Sequence, residues 1–358
     1  DGTLDATFSI GSGIDGAGYV HVHVMTIQPD GKILAGGQFA SYNGNSRNSL
    51  VRLNDDGTFD TSFTTGTGIA TAVGYSAPIV NTVAVQSDGD LLVGGWFFTY
   101  QGVASNGLVR LNNNGLVDTG FNVAIGFNST VNSLNIQTDH RIVIGGSFGA
   151  FNNTGNNDAT RLNIDGSLAN DFNIGSGASG DQIKTVALQA DGKILLGGAF
   201  NRYNGMLSNR IARLLPNGSI DATFNIGIGA DNSIGRLAVQ SDGKIIIGGG
   251  FTSYNGTAIN RIARLNTDGS LDSTFNVGSG IGGASRWVAP INIQADGKIL
   301  VAGYFSSYNG TAMSNLARLN TDGSLDATFN IGTGTNDAIY AVATQQDGKI
   351  LIGGNFTS

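Results

Sequence analysis

The sequence is 358 residues long, with 56 glycines, 4 prolines, 40% hydrophobic residues and a net charge of −7. So many apolar residues, and glycine without a triplet period, exclude a disordered or collagen-like chain. Sparse Lys and Arg on an acidic chain exclude a nucleic-acid binder, the lack of any apolar run of roughly 18 to 20 residues excludes insertion of a helix into a membrane, and the absence of cysteine excludes disulfides and thiolate metal sites.

In chain order, the first predicted element is a short strand over Leu4–Ile10, and it lies in the middle of a unit that then repeats. An Asp-Gly-Lys-type turn leading into an apolar run recurs at Asp30, Asp88, Asp139, Asp191, Asp242, Asp296 and Asp347, at spacings of 51 to 58 residues. A closing Phe recurs at Phe8, Phe63, Phe121, Phe172, Phe224, Phe275 and Phe329. Each unit offers four short strands, which in the fifth are Arg236–Gln240, Lys244–Gly249, Arg261–Asn266 and Leu271–Val277. No stretch carries a helical period, and β-branched residues between turn residues favour strands. Seven units of four antiparallel strands predict an all-β fold. The chain is expected to be one seven-bladed β-propeller domain over residues 1–358, with four-stranded blades.

The turns read in detail. Pro29-Asp30-Gly31 and Pro216-Asn217-Gly218 have the chemistry of a type I turn closed by a left-handed glycine bulge. Three-residue loops place Arg52 opposite Asp60, and likewise Arg110/Asp118, Arg213/Asp221, Arg264/Asp272 and Arg318/Asp326, as ion pairs within blades. Second strands such as Lys244–Gly249 are apolar on consecutive residues, as a strand buried on both faces should be. Their Gly-Gly pairs mark close approach of adjacent sheets.

At the ends, the C-terminus supplies two strands of a seventh blade, ending at Phe356, and segment 1–10 supplies its fourth. Pairing of the N-terminal strand with the C-terminal strands is expected to close the ring. The third-strand element, of the type Ile-Ala-Arg-Leu-Asn, recurs at Arg52, Arg110, Arg161, Arg213, Arg264 and Arg318 and not a seventh time. Either the seventh lies beyond Ser358 or another chain donates it. A start in mid-unit suggests an excised part of a longer protein.

The composite Val-Gln-x-Asp-Gly-Lys-Ile-Leu-x-Gly-Gly-x-Phe, followed by Tyr-Asn-Gly and Ala-Arg-Leu-Asn-x-Asp-Gly-Ser-Leu-Asp-x-Thr-Phe, resembles the delta-60 repeat family over essentially the whole chain. The resemblance implies a bacterial β-propeller of exported or surface proteins. It implies no shared reaction and no catalytic residues. The strand order also resembles that of binding propellers such as the NHL type.

Strand direction puts the uniform Asp-Gly turns on one face and nearly all the irregular loops on the other, where a repeat protein's binding surface usually lies. Two loop families share that variable face. Tyr42, Tyr100, Tyr203, Tyr254 and Tyr308 head Tyr-Asn-Gly-type loops and could stack on sugars beside amide groups. Alternatively, each Tyr packs beneath its own turn. The longer loops, Thr64–Val80 and Val277–Ala289, bring Tyr75, Arg286 and Trp287. The equivalent loops and strand starts bring Tyr19, His21, Asp181, Lys184, Asp231, Arg236, Asp337 and Tyr340 to the rim of the central channel, where they suit a small polar ligand or a peptide, or form a solvated mouth.

Other motifs carry less. His21-Val22-His23 offers two zinc ligands but lacks a third. The Asn266–Asp272 loop lacks the carboxylate spacing and distal Glu of a calcium loop, so no cofactor is expected, with calcium elsewhere on the variable face left open. Gly11–Gly16 fits the dinucleotide glycine pattern without the helix that pattern needs. No Ser/His/acid set assembles. The expected function is a non-catalytic extracellular recognition or display module on a bacterial or phage surface. It would be adhesin-like, binding a glycan or a protein through the variable face. The alternatives are a structural subunit of a fibre or filament that self-assembles, and an enzyme at the channel mouth.

Overall fold

The computed structural model describes residues 1–16, 18–72, 76–283 and 287–358. Its elements are all strands, and no helix occurs among the described residues. Seven antiparallel sheets stand around a central channel. The innermost strands are His21–Ile27, Ile79–Val85, Val131–Ile136, Ile183–Leu188, Ile234–Val239, Trp287–Ile293 and Ile339–Thr344. Each packs against its two neighbours, and the last returns to the first, so the ring is closed by packing.

Six blades have three main strands, for example Ile234–Val239, Ile245–Gly249 and Ile262–Leu265, with the apolar strand in the middle. That middle strand is buried along its whole length, because neighbouring blades cover both of its faces. Its glycine pair answers two contacts. A side chain at Gly248 would collide with Val288 of the next blade, and one at Gly249 with the backbone carbonyl of Ser233. The expected turns also form. At the first, Gly31 has φ +86°, the Gln28 N–H donates to Lys32 O at 2.8 Å and Asp30 Oδ1 accepts the Lys32 N–H at 3.1 Å.

Two sequence expectations are corrected. The fourth strand shrinks to a single bridge such as Leu265↔Leu271. Immediately after it Asp272 Oδ1 takes both the N–H (2.9 Å) and the hydroxyl (2.6 Å) of Thr274, which bends the chain out of the sheet. Phe275 then wedges beneath Gly323 of the following blade, and the Asn276 N–H donates to Asp322 O at 2.6 Å. Blades are therefore mostly three-stranded, each handing a closing Phe to its neighbour. Segment 1–10 likewise forms no strand and pairs with neither C-terminal strand among the described residues. It is held to blade seven by Lys349–Asp5 at 3.0 Å, and Ser9 N–H donates to Asp56 O of blade one at 2.8 Å. In every other blade an outer strand stands between the corresponding segments.

The Arg–Asp pairs form as expected, at 2.6 to 2.8 Å, but they belong to larger assemblies that also join blades. Asp272 is shared by Arg264 at 2.7 Å and Lys244 at 2.8 Å. The Arg264 guanidinium stacks over Phe275 at 4.6 Å and donates to Thr321 O in the next blade at 2.6 Å. Arg52 and Arg110 make equivalent cross-blade bonds to Asn113 O and Ile164 O.

Candidate functional site

Every inner strand carries a register shift near its start. The shift leaves one extra residue per blade: His23, Asn81, Asn132, Lys184, Gly235 and Tyr340 in six blades, with Ala289 and Pro290 in the sixth. A bulge increases the local twist and re-aims side chains. Here it builds a seven-membered ring at the channel's end on the variable face. The cavity inside, about 460 Å³, is lined by His23, Asn81, Asn132, Lys184, Arg236, Trp287 and Tyr340 among others.

One side of this mouth is a run of stacked rings. Tyr19, 78% exposed, lies parallel to His21 at 6.0 Å. His21 meets Tyr340 edge-on at 5.2 Å. Tyr340 is stacked between His23 at 5.5 Å and Trp287 at 5.1 Å. Burial lowers the pKa of His21, which the Asp337 carboxylate partly offsets. His23 is lowered to about 4, chiefly by burial and further by the charges of His21 and Arg236, so it is a neutral ring near pH 7. The two histidines meet edge-on at 5.6 Å. No group of three metal-ligating His, Asp or Glu side chains forms among the described residues.

The other side is cationic. Among the described residues Arg236 donates to backbone carbonyls, Gly235 O at 3.3 Å and Lys184 O at 3.5 Å, and burial lowers its pKa. Lys184 Nζ donates to Ser233 Oγ at 3.4 Å. Neither cation has a carboxylate partner among the described residues, unlike the Arg side chains of the outer strands. Asn132 spans to the next blade, donating to Gln182 Oε1 and Ile183 O, both at 2.9 Å.

The structure thus brings Tyr19, His21, Lys184, Arg236, Trp287 and Tyr340 together at the mouth. Asp337 stands beside them, held by Asn355 at 2.8 Å. Asp181 is an exposed loop residue, and Asp231 caps its own blade through Thr252 and Ser253. Tyr75 and Arg286 lie outside the described residues. The Tyr-Asn-Gly tyrosines cannot serve as platforms. Tyr42 is 3% exposed and Tyr100, Tyr203, Tyr254 and Tyr308 are fully buried. The hydroxyls of Tyr42, Tyr100, Tyr254 and Tyr308 donate to the carbonyls of Gly57, Gly115, Gly269 and Gly323 at 2.5 to 3.0 Å. Each ring is a post beneath its blade's hairpin. Sequence reasoning missed His23, Asn81 and Asn132 as members of the ring, because nothing in their residue types marks a bulge.

Sequence and structural likeness agree with this architecture. The family described as "Domain of unknown function (DUF5122) beta-propeller" matches residues 28–63, 86–121, 137–172, 189–224, 240–275, 294–329 and 345–358. The chain belongs to that family of repeat propellers. No curated protein matches its sequence. Among solved structures it is similar to the WD40 β-propeller domain of Doa1, at TM-score 0.58 and 17% identity, covering 98% of this chain and 96% of that one. It is also similar to the extracellular domain of the putative one component system BT4673 from B. thetaiotaomicron, at TM-score 0.58 and 15% identity. That match covers 96% of this chain and only 38% of the other. A streptogramin B lyase aligns at TM-score 0.55 and 13% identity over 98% of this chain and 95% of that one. At such identities the likeness establishes the fold.

Proposed function

We propose that this member of the DUF5122 propeller family is a non-catalytic recognition module, and that the channel mouth takes a carboxylate-bearing glycan. The carrying observation is the pairing of two cations that have no carboxylate partner among the described residues, Arg236 and Lys184, with the Trp287/Tyr340 stack beside the side-chain amides of Asn81 and Asn132. An aromatic face suits the apolar face of a sugar ring, a guanidinium suits a carboxylate, and side-chain amides suit hydroxyls. Among the described residues the site pairs no nucleophile with an adjacent base, which argues against acyl or glycosyl transfer there. An extracellular address on a bacterial or phage surface accords with the delta-60-like repeat motif. One similar propeller is the extracellular domain of the putative one component system BT4673.

The test is a glycan array carrying uronic and sialic acids beside neutral sugars, read with and without a calcium chelator. Saturable binding to acidic glycans, at least tenfold weaker for Arg236→Gln and for Trp287→Ala, is expected. A chelator effect would add calcium to the site. Equal binding to neutral sugars, or a blank array, would overturn the reading. Acidic peptides printed on the same array separate a protein ligand from a sugar; their selective capture would also overturn it.

A further inference from the structure

Three residues are common to two cavities stacked along the channel. Asn81, Asn132 and Arg236 line the mouth cavity of about 460 Å³ and also a second one of about 410 Å³. The second lies deeper, because it reaches Leu188 and Val239 at the far ends of their inner strands. These three side chains therefore form a waist. Arg236 follows the bulge residue Gly235, one step below the ring, and its guanidinium rises back to the carbonyls of Gly235 and Lys184. His23, across the channel, has its pKa lowered first by burial and then by the charges of His21 and Arg236, so the guanidinium faces the axis and floors the mouth. The two amides are aimed by their neighbours. Asn81 Nδ2 donates to Val131 O at 3.1 Å, as Asn132 Nδ2 does to Gln182 Oε1 and Ile183 O. With the nitrogens committed to the next blade, both Oδ1 atoms are left as acceptors without a donor among the described residues. A guanidinium fork beside two amide oxygens is the complement of a carboxylate flanked by hydroxyls.

Depth decides what can reach this waist. Every inner strand packs on both of its neighbours, so the wall at that level is continuous and the approach from the mouth runs along the axis. A sugar inside a glycan is linked on two sides, and its glycan would lie across the rim, where Tyr19 is 78% exposed. A terminal sugar is linked on one side and can descend. The mouth has the volume of a small-molecule site, enough for the end of a glycan and not for its length. We infer that the mouth recognises the free end of an acidic glycan. The terminal carboxylate-bearing sugar enters along the axis to Arg236, between Asn81 and Asn132, and the rest of the glycan leaves past the Trp287/Tyr340 stack. This rests on the acidic-glycan reading and narrows it to glycan ends; acidic sugars within a polymer are not ligands.

The probes are homopolymers of sialic acid and of galacturonic acid, each short and long at equal total sugar, titrated into the whole protein by calorimetry. Binding to at least one of the two is expected, with one protein per polymer molecule at every length, so that capacity per sugar falls in proportion to length. Partial hydrolysis of the long polymer makes new ends at constant sugar and should raise the protein bound in the same proportion. Asn81→Ala, at the waist, should weaken binding at least fivefold, the loss of about one hydrogen bond, with a thermal melt to show that it folds. Unchanged affinity in that variant would overturn the waist as the contact. Capacity that follows total sugar, with several proteins on one long polymer and none gained by hydrolysis, would overturn end recognition and leave acidic-glycan binding intact. No binding to either polymer, whole or hydrolysed, would be the failure of the acidic-glycan reading, and this inference would fall with it.

Discussion

At the scale of single residues, the same backbone position is filled differently from blade to blade, and the consequences differ. Arg261 in blade five takes a left-handed backbone, φ +67°, and its guanidinium donates to Ile281 O at 2.9 Å. In blade one the position is Ser49, whose hydroxyl donates to Pro78 O at 2.9 Å. Blade three places Asp158 there, also left-handed at φ +65°, and burial together with the nearby Asp181 carboxylate raises its pKa to about 7. An acid raised on folding favours the protonated folded state. The associated stability is present below its unfolded pKa near 4 and is lost as pH rises through about 7. Asp158→Asn is expected to match the parent's melting temperature near pH 4 and to exceed it by a few degrees at pH 8. Thermal melts of both chains across that range check this, and a difference that stays flat with pH would show Asp158 to be an ordinary solvated acid.

At the scale of elements, the Arg–Lys–Asp–Phe assembly is the unit that makes a blade and joins it to the next. Burial alone would raise the Asp272 pKa, but bonds from Lys244, Thr274 and Arg264 outweigh it and hold the carboxyl far below the usual range. A depressed acid contributes stability above its unfolded pKa near 4, and that contribution is lost as pH falls below it. Asp272→Asn leaves two cations facing a neutral amide, with the Arg264 side chain 9% exposed. Breaking a buried pair in this way costs about 3 to 5 kcal/mol. Urea midpoints should therefore drop sharply at pH 7, with the gap to the parent narrowing at pH 3. These assemblies were half legible in the sequence. The Arg/Asp offset of eight follows from three-residue turns, so the pairs were readable. The cross-blade reach of Arg264 to Thr321 was not, because it depends on how blades pack and not on spacing within one repeat. The fourth strand was misread because Leu271–Val277 has strand-like composition, while the turn formed by Asp272 and Thr274 decides its path. The channel ring was legible only in part. Position along the inner strand pointed to Lys184, Arg236 and Tyr340. A bulge, however, is a property of two paired strands, and residues as unlike as His23, Asn81 and Gly235 share no signature of it.

At the scale of the whole molecule, seven near-equivalent blades are not equally secured. Blades one to six each present a middle strand bonded on both sides, and the Arg guanidinium of an outer strand ties several of them to the next turn, as Arg213 does to Thr267 and Arg264 to Thr321. Arg318 of blade six bonds Asp326 and Thr328 but makes no such reach to blade seven among the described residues. Blade seven meets blade one through the inner strands and through side-chain bonds, Gln345 Nε2 to Asp55 O at 3.2 Å and Gln346 Nε2 to Pro29 O at 3.3 Å. Amides of an antiparallel strand alternate in direction, so about half of those in Ile350–Gly354 point to the open edge. Protection against hydrogen exchange follows local opening and bonding. Alternate amides of Ile350–Gly354 should exchange at least a hundredfold faster than their counterparts in Ile245–Gly249, while the amides facing Ile339–Thr344 stay protected. Residue-resolved exchange by NMR reads this directly. If every amide of that strand were as protected as blade five, the edge would already be covered in solution, and the seam between blades six, seven and one would not be the weak point of the ring.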